Sequence, residues 1–244
     1  MSSTEGGPNT IIDGLLLYVD AANPKSYPGN GTIWSDISKT GDNGTLVNGP
    51  TFDSANNGSI VFDGVDVYVN FSELTPANTL NTFSFGLWFS PTTTITPGSL
   101  ATFSMLMEAQ DQRLASSRPD NYIYFLTNGE LFFATFTPTN NVVSLQTTWS
   151  SDEWYQVFCT YEPITGEKKL FINGELENSV TGVTGNYFNT FTHFGLGAYN
   201  APSIFPIPTN AFNGNISNFM VYNRTLSDEE ILRNYNSIKS RFNI

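Results

Sequence analysis

The stretch Phe212–Tyr235 constrains the fold most, because it runs a β-strand, a sharp stop and a capped helix together. Ile216–Tyr222 is rich in β-favouring residues. Ile216, Met220 and Tyr222 are expected on one face and Phe219 and Val221 on the other, as in a strand buried on both sides. Asn223-Arg224 stops it. Ser227 then stands as N-cap with Glu230 three residues on, a capping box, while Leu226 and Ile231 occupy the positions of a hydrophobic staple. Ile231, Leu232, Tyr235 and Ile238 recur at helical spacing, so the helix carries one apolar stripe and needs a sheet to cover. Lys239 and Arg241 suit its negative C-terminal end.

Upstream, the chain reads as strands and turns. Leu15–Asp20 is hydrophobic enough for burial on both faces. Between Ala21 and Ser59 the density of Gly, Asn, Pro and Asp predicts a long turn-rich excursion pinned by Trp34 and Ile37, with a binding role for Trp34 or Tyr27 as the alternative to anchoring. Ser59–Phe71 reads as a hairpin turning at Asp63-Gly64. Thr82–Ser90 alternates cleanly: Phe83, Phe85, Leu87 and Phe89 face one way, and Ser84, Gly86, Trp88 and Ser90 the other. Trp88 is therefore the odd member of a polar face, either a ligand platform or a residue beneath a loop. Leu100–Met107 is the next expected strand and Ala109–Asn121 a polar loop.

Tyr122–Leu126 and Leu131–Phe136 flank Asn128-Gly129, a strong hairpin signal. Trp154–Tyr161, Lys168–Ile172 and Glu175–Val180 follow, the last two joined at Asn173-Gly174, and Phe191–Gly197 is one further strand. The segment Tyr199–Phe212 interleaves prolines with Tyr199, Ile204, Phe205 and Ile207. Such a stiff apolar loop suits either a partner surface or packing over the end of the sheets.

Four matches carry a family resemblance. They are the Gly14-Leu15 opening through Tyr18, Asp20 and Ala21, the run Ser59-Ile-Val-Phe-Asp-Gly-Val-Asp-Val-Tyr-Val69, Trp154 through Tyr161 with Leu170-Phe-Ile-Asn-Gly174, and the closing strand from Gly214 to Ser227. Together they resemble laminin-G-like, concanavalin A-like jelly rolls. The resemblance implies an all-β, two-sheet antiparallel jelly-roll sandwich with a short C-terminal helix, with residues 1–10 as a flexible arm and 11–244 as one laminin-G-like domain. It implies little about function, because that fold hosts lectins, glycosidases, adhesion modules and virus structural proteins. Related sandwiches often hold a calcium ion near a sheet edge. Here Ser217 stands where the family usually carries an acid, which weakens that carry-over and leaves Asp13, Asp20 and Asp63 as the candidate ligands for a structural calcium; no cofactor or metal is expected.

Composition narrows the function. The 244 residues carry a formal charge of −12, and the ten Lys and Arg are dispersed apart from Lys168-Lys169, which argues against nucleic acid and anionic membranes as partners. The longest apolar run, Leu15–Val19, is too short to span a bilayer, and Met1–Thr10 lacks the features of a secretory signal. Cys159 is expected to be a buried inert thiol. The alternating Glu-x-Asp-x-Glu strand of glycosidases with this fold is missing, and Glu175 and Glu177, the one i, i+2 acid pair in a strand, read as a solvated edge. His193 has no evident triad partners.

The expectation is a non-enzymatic structural or display module of a bacteriophage virion, a head decoration or tail-associated protein assembled in host cytoplasm. Its expected partners are other virion proteins or itself as a homotrimer, and host-surface glycans. Trp88, Tyr199 and Phe205 are the expected ligand-binding residues. The alternatives are a carbohydrate-binding lectin of a bacterial surface and, third, a polysaccharide-active enzyme. The phage assignment is what the resemblance of the opening and ending implies.

Overall fold

The computed structural model describes residues 9–71, 82–110, 121–135, 141–182, 193–199 and 209–244. In chain order the strands are β1 (Leu15–Asp20), β2 (Ile33–Trp34), β3 (Gly44–Val47), β4 (Thr51–Asp53), β5 (Ser59–Asp63), β6 (Tyr68–Phe71), β7 (Phe83–Pro91) and β8 (Ser104–Gln110). They continue as β9 (Asn121–Phe125), β10 (Leu131–Thr135), β11 (Val142–Val143), β12 (Tyr155–Glu162), β13 (Glu167–Ile172), β14 (Glu175–Val180), β15 (His193–Leu196) and β16 (Asn213–Tyr222). Helix α1 (Asp228–Ile238) and a 3₁₀ turn (Lys239–Phe242) close the chain.

These strands form two antiparallel sheets. The first runs β14-β13-β12-β7-β16-β5-β4 with β1 also on β16, and the second β11-β10-β9-β8-β15-β6-β3-β2. Alternation places the inward residues of both sheets in one core: Phe83, Phe85, Leu87 and Phe89 of β7 meet Phe125, Phe133 and Phe194 of the second sheet. The fold is thus the two-sheet jelly-roll sandwich with a short C-terminal helix that the sequence implies.

Three local expectations change. Ser59–Phe71 is no hairpin, because β5 pairs with β16 and β4 in the first sheet while β6 pairs with β15 and β3 in the second. Asp63-Gly64 instead makes a corner between the layers, with Asp63 Oδ1 accepting the Val65 N–H at 2.9 Å, and both strands bury their apolar side chains in the same core. In β16 a bulge between Ile216 and Asn218 inserts one residue. Ile216 therefore joins Phe219 and Val221 in the inter-sheet core, leaving Met220 and Tyr222 on the outer face. Finally, β8 begins at Ser104 and runs through Glu108 to Gln110, past the expected end at Met107.

Helix α1 covers the outer face of the first sheet. Leu226, Ile231, Ile238 and Phe242 pack with Trp88, Phe158, Phe171, Met220 and Tyr222 in a second core. Asn234, one position before Tyr235 of the expected stripe, is buried there. Its Oδ1 accepts the Ile11 N–H at 2.8 Å and its Nδ2 donates to Tyr222 Oη at 3.1 Å, while Leu232 turns to solvent. Among the described residues no helix is long and apolar enough to cross a membrane.

Candidate functional site

On β9, Ile123 and Phe125 enter the core, so Tyr122 and Tyr124 point outward from the second sheet. Phe132 of β10 lies opposite Tyr124 in register. Ring centroids are 4.9 Å apart for Tyr124 and Phe132, 5.3 Å for Tyr122 and Tyr124, and 5.0 Å for Phe103 and Tyr124. Met105 and Tyr199 pack against the same rings. Phe103, Tyr122, Tyr124 and Phe132 remain half-buried, an aromatic strip that the core does not consume. Burial, reinforced by the Tyr122 phenol, pushes the Tyr124 pKa up to about 12, so its hydroxyl stays a donor across the physiological range.

Phe103 also lines a cavity of about 360 Å³ at the end of the sandwich, bounded by the Asp63–Val65 corner, the β7–β8 connection and Asn210–Asn213. Thr93, Thr102, Asn210, Asn213 and Asp63 give it polar walls, and Phe212 and Ile95 apolar ones. The Met105 N–H donates to Asn210 O at 2.8 Å, which fixes this wall to the start of β8.

Beside the strip lies a buried polar row. Glu108 on β8 pairs across the sheet with Tyr122 on one side and Gly195 on the other, and Gly195 in turn pairs with Asn70. His193 Nε2 sits 3.3 Å from Glu108 Oε1, both side chains almost wholly buried. A Cβ at Gly195 would lie 3.0 Å from Glu108 Oε1 and 3.2 Å from His193 Nε2, so the glycine leaves room for this pair. The short reading of β8 hid Glu108. The outward aromatics were visible, since Tyr122 and Tyr124 alternate with Ile123 and Phe125 in a strand flanked by Asn128-Gly129.

The sequence-predicted residues scatter. Tyr199 joins the aromatic strip. Trp88 corrects the expectation of a ligand platform: it lies on the other sheet, fully buried, with Tyr235 stacked at 5.4 Å and Phe242 at 4.6 Å, because α1 needs an apolar floor. Phe205 falls outside the described residues. Trp34 is wholly buried and Tyr27 nearly so, as anchors. Cys159 is buried and its thiol pKa is raised by that burial.

The three acids weighed as calcium ligands have separate occupations. Asp20 takes a two-pronged contact from Arg241, Asp13 faces Arg224 at 3.0 Å, and Asp63 caps its corner. Among the described residues no three His, Cys, Asp or Glu side chains are grouped to hold a metal ion. Glu177 Oε1 accepts the Leu145 and Gln146 N–H groups, each at 2.8 Å, so this carboxylate ties the edge strand β14 to the chain after β11.

The sequence model of the concanavalin A-like lectin/glucanases superfamily matches residues 62–232, well over half of the chain. The chain belongs to this superfamily. No curated protein matches it. Among solved structures, the concanavalin A-like fold here is similar to the botulinum neurotoxin serotype D binding domain, with TM-score 0.67 and 15% identity over 93% of this chain and 52% of that one. It is similar also to the binding domain of botulinum neurotoxin DC in complex with SialylT, with TM-score 0.67 and 13% identity over 93% and 52%. Trypanosoma rangeli sialidase in complex with sialic acid gives TM-score 0.65 and 16% identity over 93% and 33%. The chain thus spans about a third to a half of these neighbours' lengths.

Proposed function

We propose that this chain is a non-enzymatic display module that binds a glycan on the outer face of its second sheet. The carrying observation is the half-buried run Phe103, Tyr124, Tyr122 and Phe132, continuous through Phe103 with a polar-walled cavity. A sugar ring offers an apolar C–H face to stack on an aromatic ring and a rim of hydroxyls that need hydrogen-bond partners. The strip supplies the first, and Asn210, Asn213, Thr93 and Thr102 the second. About 360 Å³ lies at the small end of ligand sites, which are roughly 300–1,000 Å³. Two structural neighbours are proteins solved with SialylT and with sialic acid, which supports a glycan as the ligand proposed for this chain.

The non-enzymatic reading rests on the sequence, in which the alternating Glu-x-Asp-x-Glu strand of glycosidases with this fold is missing. We place the module on the surface of a bacteriophage particle, as a head decoration or tail-associated protein, on the resemblance of its opening and ending. The same glycan site would serve a lectin on a bacterial surface.

A glycan array tests the site. Saturable binding is expected, weakened about tenfold by Tyr124→Ala or Phe132→Ala with the fold retained. Full binding by both variants, or a silent array, would refute it. Mass spectrometry of purified particles tests the location, with high copy number expected there.

A further inference from the structure

A second cavity, of about 350 Å³, lies on the flank of the first sheet. It is bounded by Asp152, Glu153 and Trp154 ahead of β12, Tyr155 at its start, Asn173 in the β13–β14 turn, Tyr235 of α1, and Phe242 and Ile244 beyond it. Its aromatic wall is preorganised. Trp154 stacks on Phe242 with centroids 4.3 Å apart, and Phe242 rests on Trp88 at 4.6 Å, so neither ring has to be ordered when a ligand enters.

Two exposed carboxylates stand at the same cavity. Asp152 is positioned by its own N–H, which donates to Pro91 O at 3.0 Å, and its carboxylate makes no hydrogen bond or ion pair among the described residues. Glu153 Oε2 accepts the Tyr155 hydroxyl at 2.9 Å, which orients the carboxylate and leaves Oε1 for another donor. Among the described residues no lysine or arginine lines the space; Lys239 Nζ lies 5.1 Å from the centroid of the Tyr235 ring, so a ligand's ring contacts fall to Trp154 and Phe242.

We propose that this cavity binds an organic ammonium group. Aromatic rings attract a weakly hydrated cation and the two carboxylates supply its counter-charge, whereas a small inorganic ion needs a cage of oxygens. Anionic groups are disfavoured by Asp152 and Glu153 and by the −12 charge of the chain. The site lies on the other sheet from the aromatic strip and is independent of the glycan reading.

The test titrates the full chain with tetramethylammonium chloride and, separately, with an N-acetyl-lysine methylamide, each against sodium chloride at equal ionic strength. Amide shifts of residues 152–155 and quenching of Trp154 fluorescence are followed. A saturable response to either probe is expected; a response to the first alone assigns a free quaternary ammonium ligand, and to the second a lysine side chain. The Asp152→Asn, Glu153→Gln double variant, at exposed positions, should weaken binding about tenfold, and Trp154→Leu should abolish it. Shifts no larger than those of sodium chloride, or unchanged binding by the double variant, would overturn the proposal.

Discussion

Lys168 lies wholly buried on β13, with Nζ 6.0 Å from the Phe133 ring centroid and 5.9 Å from that of Tyr161. It shares the inward face with Leu170 and Ile172, and burial lowers its pKa to about 8. Between about pH 8 and the ordinary lysine value of 10.5 the unfolded chain holds a proton that the folded chain has released, so stability rises with pH through that window. Lys168→Met, similar in volume, is expected to raise the Tm at pH 7 more than at pH 10, as thermal scans at the two pH values would show. An equal shift at both would sink this account. In the sequence Lys168-Lys169 looks like one solvated pair, because alternation identifies faces without saying which charged member turns inward. Trp88 teaches the same lesson: its place opposite the phenylalanine face was legible, but what covers that face depends on where a helix more than a hundred residues later docks.

At the scale of elements, the capped helix was the most legible feature, because its signals are local. Ser227 Oγ accepts the Glu230 N–H at 3.3 Å and Glu230 Oε2 accepts the Ser227 N–H at 3.0 Å, completing the capping box. Glu230 also takes two hydrogen bonds of 2.7 Å from Arg224, which hold its pKa below the usual carboxylate value. Ser227→Ala should cost about 1 kcal/mol, roughly 2–4 °C in Tm for a domain of this size. Glu230→Gln should cost more at pH 7, and the gap between it and the parent should close as pH falls through the lowered pKa, where the parent's carboxylate is itself protonated. A gap constant down to pH 3 would show that the ion pair does not contribute. The Asn-Gly hairpins were equally legible, since Asn173 at φ 52° and Gly174 at φ 82° adopt the left-handed backbone that such turns demand. Asp63-Gly64 was misread because turn chemistry specifies a reversal without specifying whether the next strand returns to the same sheet. The bulge in β16 left no mark either, as Ser217 and Asn218 are ordinary strand-face residues.

For the whole molecule, the decisive fact is the position of the last strand. β16 stands between β7 and β5 in the first sheet and is also the strand on which β1 pairs, so among the described residues the sheet's halves meet only through it. Without β16, β14-β13-β12-β7 and β5-β4 would be separate pieces with unpaired edges, and the outward faces under α1 would be bare. The sequence carried enough to place β16 in a two-sided core, but its centrality is a property of long-range pairing that no local pattern encodes. A chain ending at residue 212 is therefore expected to lack cooperative unfolding and fixed near-UV circular dichroism. One that loses only residues 239–244 should keep the sandwich and melt lower, since it forfeits Phe242 on Trp88 and the Arg241 contact with buried Asp20. The two truncations separate what the strand does from what the helix end does. If the shorter chain folded cooperatively, the first sheet would have to close without its central strand, and the pairing order described above would be wrong.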